Sequence, residues 1–284
     1  MTDDHGRDLF PKAYYNKDFL YGPNARTIRI LSEYLEPQAR LRQHKIRGTI
    51  VMFGSARALP PEALPAEFEK IKAKLETAPA AEAERLRERM NQLEQLTQYY
   101  TEAAELSRLL TKHYQEFPNA KNRYVVASGG GPGMMEAANR GAREAGGKTI
   151  GFGISLPFEQ GINQYIERDL AFEFHYFFMR KYWFMYLAKA LVVFPGGFGT
   201  MDEMFEILTL VQTRKVTKNL PIVLYGARFW EEAVRFDVLI KWGVISPEDI
   251  GLFKICNTPQ EAFDYLVKEI NHQGLSETEP PSVE

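Results

Sequence analysis

Pro195-Gly196-Gly197-Phe198-Gly199-Thr200-Met201-Asp202-Glu203 is the stretch on which the reading of this chain turns. An apolar run at 190–194 precedes it and reads as a buried strand; an amphipathic run at 204–211 follows it. Strand, glycine turn and helix start together aim free backbone N–H groups and the positive end of a helix dipole at an anion. Glycines let the backbone approach a phosphate closely, Thr200 adds a hydroxyl donor, and Glu203 projects a carboxylate from the first turn. A phosphate cradle with an acid beside it suggests chemistry on a phosphorylated small molecule.

A second glycine turn strengthens the case. The β-prone run 124–127 leads into Ser128-Gly129-Gly130-Gly131-Pro132-Gly133-Met134-Met135-Glu136, and helical spacing continues through Ala137, Ala138, Asn139 and Gly141. In an open α/β sheet, two such turns at strand C-terminal ends fall on the ligand-binding edge. One glycine turn alone is as easily a plain tight turn.

Outward from these motifs, the strands are expected at 47–53, 124–127, 148–154, 171–174, 190–194 and 220–225. Helical patterns lie between most of them, at 134–145, 178–189 and 202–211. Strands alternating with helices predict a Rossmann-like α/β fold, a parallel sheet with helices on both faces. Residues 1–46 read as a helical N-terminal extension, with helical spacing at 27–35, and 47–270 as the nucleotide-binding domain. Within it, about 60–116 is an Ala/Glu/Lys/Leu/Arg-rich insertion broken near Thr77-Ala78-Pro79-Ala80. Leu86, Met90, Leu93, Leu96, Tyr100, Ala103 and Leu110 keep close to a 3.5-residue period, which predicts a helical hairpin whose second arm enters the core. The tail at 271–284, polar and acidic from Ser276 onward, is expected to be disordered.

Bulk composition narrows the function. The 284 residues are 45% hydrophobic, enough for one large core. Lys+Arg 35 against Asp+Glu 37 gives no electrostatic case for nucleic acid. The lone Cys256 excludes an intrachain disulfide framework, and no Cys/His cluster has zinc spacing. Met1-Thr2-Asp3-Asp4-His5 is unlike a signal peptide, and no apolar run approaches the ~20 residues of a membrane helix. A cytoplasmic protein without membrane partners is the expectation.

The aromatic segment 172–186 contains Arg180 and Lys181. A charged pair in so apolar a helix either faces solvent or is paired and functional. In the functional reading Arg180 meets an anionic or nitrogen-rich ligand through its planar fork. The aromatics fit a core or a subunit interface, with Tyr176, Phe177 and Phe178 able to wall a base pocket.

These residues resemble a known family. The segment from Pro195 to Glu203 matches the PGGxGTxxE signature of the "lonely guy" (LOG) phosphoribohydrolases, which carry the legacy label "possible lysine decarboxylase". The resemblance extends to the turn from Ser128 to Glu136, to Met179-Arg180-Lys181, to Phe53-Gly54-Ser55-Ala56, and to the segments 205–213 and 221–226. It implies hydrolysis of the N-glycosidic bond of a nucleoside 5′-monophosphate, a cytokinin riboside monophosphate or AMP, by a homodimer or larger assembly without metal or cofactor. Arg180 and Glu203 match the catalytic pair. Pro195, Gly196, Gly197, Gly199 and Thr200 match the phosphate turn, and Gly130, Gly131 and Gly133 the second ligand-facing turn. Gly54, Ser55 and Lys181 join the binding residues, with Glu136 as a ribose or base contact.

The chain departs from compact members of that family. Asp202 stands where Glu is frequent, and Arg57 follows the first turn, where it either reaches the nucleotide or faces solvent. The N-terminal extension and the insertion resemble the longer bacterial branch. Decarboxylation would need pyridoxal phosphate on a positioned lysine, for which only Lys181 and Lys189 lie near a glycine turn. The alternatives are a nucleotide or molybdenum-cofactor carrier on the same fold, and a nucleotide sensor in which the hairpin couples binding to assembly.

Overall fold

A computed structural model describes residues 12–117, 124–155 and 161–276. The N-terminal segment forms α1 (Lys17–Tyr21) and α2 (Arg26–Gln43). β1 (Thr49–Phe53) opens the sheet, and α3 (Leu64–Leu75) and α4 (Ala80–Gln115) form the predicted hairpin before β2 (Val125–Ser128). There follow α5 (Met134–Glu144), β3 (Thr149–Ile154), β4 (Ala171–Phe174), α6 (Phe177–Tyr186), β5 (Ala188–Val193) and α7 (Phe198–Gln212). The chain continues as β6 (Ile222–Tyr225), α8 (Ala227–Ala233), α9 (Phe236–Lys241), β7 (Lys254–Cys256) and α10 (Pro259–Ser276).

The sheet has seven strands in the order β4-β3-β2-β1-β5-β6-β7, all parallel. Strand order therefore runs one way from β1 to β4 and reverses from β5 to β7. The reversal lies between β1 and β5, which pair over Ile50↔Ala190 to Phe53↔Val193. A doubly wound sheet opens a crevice at that point, beyond the strand C-termini.

Both faces of the sheet are covered, which explains why the central strands read as continuous apolar runs rather than alternating ones. Val51, Phe53, Phe152, Leu191 and Val193 point to one side and pack with Met179, Trp183 and Phe184 of α6 and with Met204 and Ile207 of α7. Ile50, Met52, Val126, Val192 and Val223 point to the other and meet Leu106 and Leu110 of α4, Ala137 and Ala138 of α5, and Leu266 and Ile270 of α10. The second arm of the hairpin thus supplies a core layer, as its periodicity predicts.

Several boundaries differ from expectation. The helix expected at 178–189 ends at Tyr186, because the chain is already paired with β1 at Ala188. The helix expected from 202 begins at Phe198, since Gly197 takes the extended N-cap conformation and Met201 N–H already reaches its carbonyl. Pro221 lies outside β6, although its carbonyl accepts from Leu191 N–H. β7, at three residues, escaped the reading altogether. α10 runs through Ser276 and so into the segment expected to be disordered; 277–284, like 1–11, lies outside the described residues.

Candidate functional site

Three turns meet at the reversal point, and Ser55 joins them through its backbone. Its N–H donates to the Pro195 carbonyl at 2.9 Å, and its carbonyl accepts from Met134 N–H at 3.0 Å. The loop after β1 is thereby tied both to the turn after β5 and to the turn after β2. Glycine is dictated at the junctions. A methyl group on Gly54 would lie 2.7 Å from Met134 Cβ, and one on Gly133 would lie 2.3 Å from the Ser55 carbonyl oxygen. Gly133 also has φ +72°, where a side chain is strained whatever the space.

The turn after β2 is braced from below by a buried polar chain. Ser128 Oγ donates to Asn139 Oδ1 at 2.6 Å and accepts from Gly130 N–H at 3.0 Å. Asn139 Nδ2 donates to Thr149 Oγ1 at 2.6 Å, and Thr149 donates on to the Val126 carbonyl at 3.0 Å. Asn163 completes the brace, its amide nitrogen 2.9 Å from the Gly130 carbonyl and 3.0 Å from Asn139 Oδ1. Each polar group is satisfied, the condition under which a buried network rigidifies its surroundings. Sequence reasoning placed Asn139 only as a helix position and did not find Asn163. A polar residue on the apolar face of an amphipathic helix was the available signal for the first; nothing local marks the second.

The turn after β5 is open. A methyl group on Gly196 would collide with Thr200, at 2.2 Å from its hydroxyl, but Gly197 and Gly199 face empty space. No side chain caps α7, so its first N–H groups remain available to a ligand. Phe198 stands between those glycines at 97% exposure.

Glu203 occupies the first turns of this helix, yet it is only 6% exposed. Burial pushes its carboxyl up to about 7; the Lys181 and Arg180 charges pull it back, and Glu206 and Asp202 push it further up. Desolvation therefore outweighs two nearby cations. Lys181 lies on α6 and ties it to α7, with its ammonium 2.7 Å from Asp202 Oδ2 and 2.5 Å from Glu206 Oε2. Its partial burial disfavours the ammonium, but these hydrogen bonds and the nearby carboxylate charges outweigh that and hold its pKa above the usual lysine value.

Arg180 turns inward. Its Nε–H donates to the Phe152 carbonyl at 2.8 Å, and the guanidinium carbon lies 5.1 Å from the centre of the Phe184 ring. A methyl group built on Gly129 would come within 2.7 Å of its terminal nitrogen. The solvent-facing alternative for Arg180 and Lys181 is thereby removed, and the pair stands between the two glycine turns.

Gly54, Ser55, Gly130, Gly131, Gly133, Pro195, Gly196, Gly197, Gly199 and Thr200 thus gather at one sheet edge with Arg180, Lys181 and Glu203. Glu136 does not join them: its carboxylate accepts from the Tyr100 hydroxyl at 2.9 Å, across the contact between α4 and α5. Arg57 is exposed, with its N–H on Ser55 Oγ at 3.1 Å. Of the aromatics offered as a base wall, Tyr176 is buried in the core, whereas Phe177 and Phe178 are exposed.

A doubly wound parallel sheet whose glycine turns meet at its reversal point defines a Rossmann-like α/β protein. Residues 135–266 match the family model described as "Possible lysine decarboxylase". That match lies within the sheet domain and covers just under half of the chain, and its description is the legacy label of the LOG family that the motifs resemble. An uncharacterized protein of Archaeoglobus fulgidus is 28% identical over 122 residues, spanning 41% of this chain and 76% of its own length. Among solved structures, a Moco carrier protein from Chlamydomonas reinhardtii is 18% identical, with 80% of this chain and 99% of that one covered at a TM-score of 0.46. A molybdenum cofactor binding protein from Rippkaea orientalis is also 18% identical, covering 60% of this chain and 87% of its own at 0.42. At these scores the likeness bears on neither ligand nor activity.

The label's implied cofactor, pyridoxal phosphate, does not fit the lysines present. A Schiff-base lysine must reach a neutral amine, whereas Lys181 is held charged between two carboxylates. Lys189 follows Ala188, which pairs with Thr49 at the opposite, N-terminal end of the strands. Among the described residues no helix is long and apolar enough to cross a membrane.

Proposed function

We propose that this edge binds a nucleoside 5′-monophosphate and hydrolyses its N-glycosidic bond, giving a free base and ribose 5-phosphate. The observation that carries the reading is Glu203: a buried carboxyl, pushed up to about 7, beside two cations and one turn inside an uncapped helix start. In this reading the phosphate sits on the N–H groups of Gly197, Gly199 and Thr200, and that remote binding energy places the sugar. As the bond from the anomeric carbon to the base nitrogen lengthens, positive charge develops on the ribose. Ionised Glu203 stabilises that charge and orients the attacking water. The bonding pair leaves with the base, water supplies hydroxide to the anomeric carbon, and its proton ends on the base. Arg180, permanently charged, balances the departing pair electrostatically rather than as a proton donor. Adenine and its isopentenylated form are both substrate candidates, and the protein is taken to act as a homodimer or larger assembly.

The test is base release from a panel of nucleotides including AMP and isopentenyladenosine monophosphate. Glu203→Ala is expected to lower turnover by at least about a hundredfold, the scale of a lost electrostatic or general-base group. Nucleotide binding with no base release from any member of the panel would favour the carrier or sensor readings instead.

A further inference from the structure

We propose that Glu33, on the N-terminal helix α2, is a positioning residue that holds α6, and with it Arg180, against the glycine turn after β2. The N-terminus of α6 has no cap of its own, since the Tyr176 side chain makes no capping hydrogen bond. Glu33 supplies one from far along the chain. Its Oε1 accepts from His175 N–H at 2.8 Å and its Oε2 from Tyr176 N–H at 3.3 Å, the donors at the entry to the helix. A carboxylate is the natural group there, because the helix dipole presents its positive end at the same point.

The backbone of the same residue grips the helix further along. The Glu33 carbonyl accepts from Trp183 Nε1–H at 2.9 Å, and the Tyr34 ring lies 5.6 Å from Tyr182 and 6.0 Å from Trp183. Glu33 therefore fixes α6 at its start through a side chain and in its second half through a carbonyl. Arg180 lies between these grips. Elsewhere on α2, Arg40 donates to the Ala171 carbonyl on β4 at 3.0 Å, with its guanidinium carbon 4.0 Å from the Phe172 ring centre. α2 is thus bound both to the strand before α6 and to α6 itself. A small rotation of α6 would carry the guanidinium of Arg180 away from Gly129, where placement errors of about 1 Å cost rate rather than fold.

The rate readout of this proposal rests on the hydrolase reading; the structural readout does not. In the full chain, Glu33→Ala is expected to speed amide hydrogen exchange across 175–180 while protection in β1 and β5 stays unchanged. With nucleotide, kcat should fall by about tenfold while KM moves by less than about threefold, because the phosphate turn on α7 is untouched. Glu33→Asp, which keeps the acceptor on a shorter stem, should recover part of both losses and serves if the alanine variant does not fold. Unchanged exchange at 175–180, or an unchanged kcat in an active enzyme, would overturn the proposal. A wild-type protein that releases no base would sink the hydrolase reading alone, leaving the exchange comparison to decide the role of Glu33.

Discussion

Glu203 couples the proposed hydrolysis to stability, because its burial favours the neutral form. Its carboxyl lies at about 7 in the folded chain against an ordinary 4.5. A folded value raised above the unfolded one means the folded state holds the proton more tightly between those limits. The contribution of Glu203 to stability is therefore fully present below pH 4.5 and is lost as pH rises through about 7. Glu203→Gln removes that cost, so the variant should exceed the wild type in stability at pH 8, by up to roughly 3 kcal/mol, with the difference fading toward pH 4.5 in denaturant titrations. Base release should behave oppositely and rise toward pH 7, as the carboxylate forms. Glycine substitutions separate fold from binding at the same scale. Gly133→Ala combines a positive φ with a backbone collision and should cost at least about 2 kcal/mol. Gly199→Ala meets nothing and should leave the melting temperature unchanged or raised, yet increase the nucleotide KM by about tenfold by crowding the phosphate.

At the level of elements, the inserted α4 is packed too closely on α5 to be an appendage. A methyl group on Gly141 would lie 2.0 Å from the Ala104 carbonyl oxygen, and Ser107 Oγ donates to the Ala138 carbonyl at 2.5 Å. Alanine is the better helix former by about 1 kcal/mol, but an immovable backbone neighbour makes overpacking the larger effect. Gly141→Ala should destabilise by about 1–3 kcal/mol in equilibrium unfolding. Helices α2 to α7 and the central strands were legible in the sequence because their apolar spacing is local, whereas α1, α8, α9 and α10 went unread. The start of α7 was not legible, since Phe198-Gly199-Thr200 has the composition of a loop and is helical only because Gly197 forms the N-cap. The fate of Glu136 was hidden for another reason: its partner Tyr100 comes from a helix 36 positions earlier, and no local pattern encodes that crossing. The glycines and the Arg180, Lys181 and Glu203 set were legible because their residue types are improbable where they stand.

For the molecule as a whole, the exposed aromatics of α6 matter most. Phe177, Phe178 and Tyr186 are exposed on the helix that carries Arg180. Assembly through them would place the site beside a subunit boundary. Sedimentation at micromolar concentration is expected to give at least twice the chain mass of 32.6 kDa, and Phe178→Asp to return it to a single chain. A monomeric wild type would remove the homo-oligomer from the proposed function. The N-terminal segment also acts at this scale. β4 lies at the edge of the sheet, and Arg40 occupies its Ala171 carbonyl. Unguarded edges invite pairing with other chains.

Ser55 registers the three turns against one another with its peptide N–H and carbonyl alone. Every residue except proline carries both groups, so the alignment is a property of the backbone, while the Ser55 hydroxyl is left to hold Arg57 N–H within its own loop. Such a junction makes the meeting of the turns heritable through the chain trace. Side chains around the junction can then be exchanged, and the groups facing a ligand changed, while the three turns stay in register.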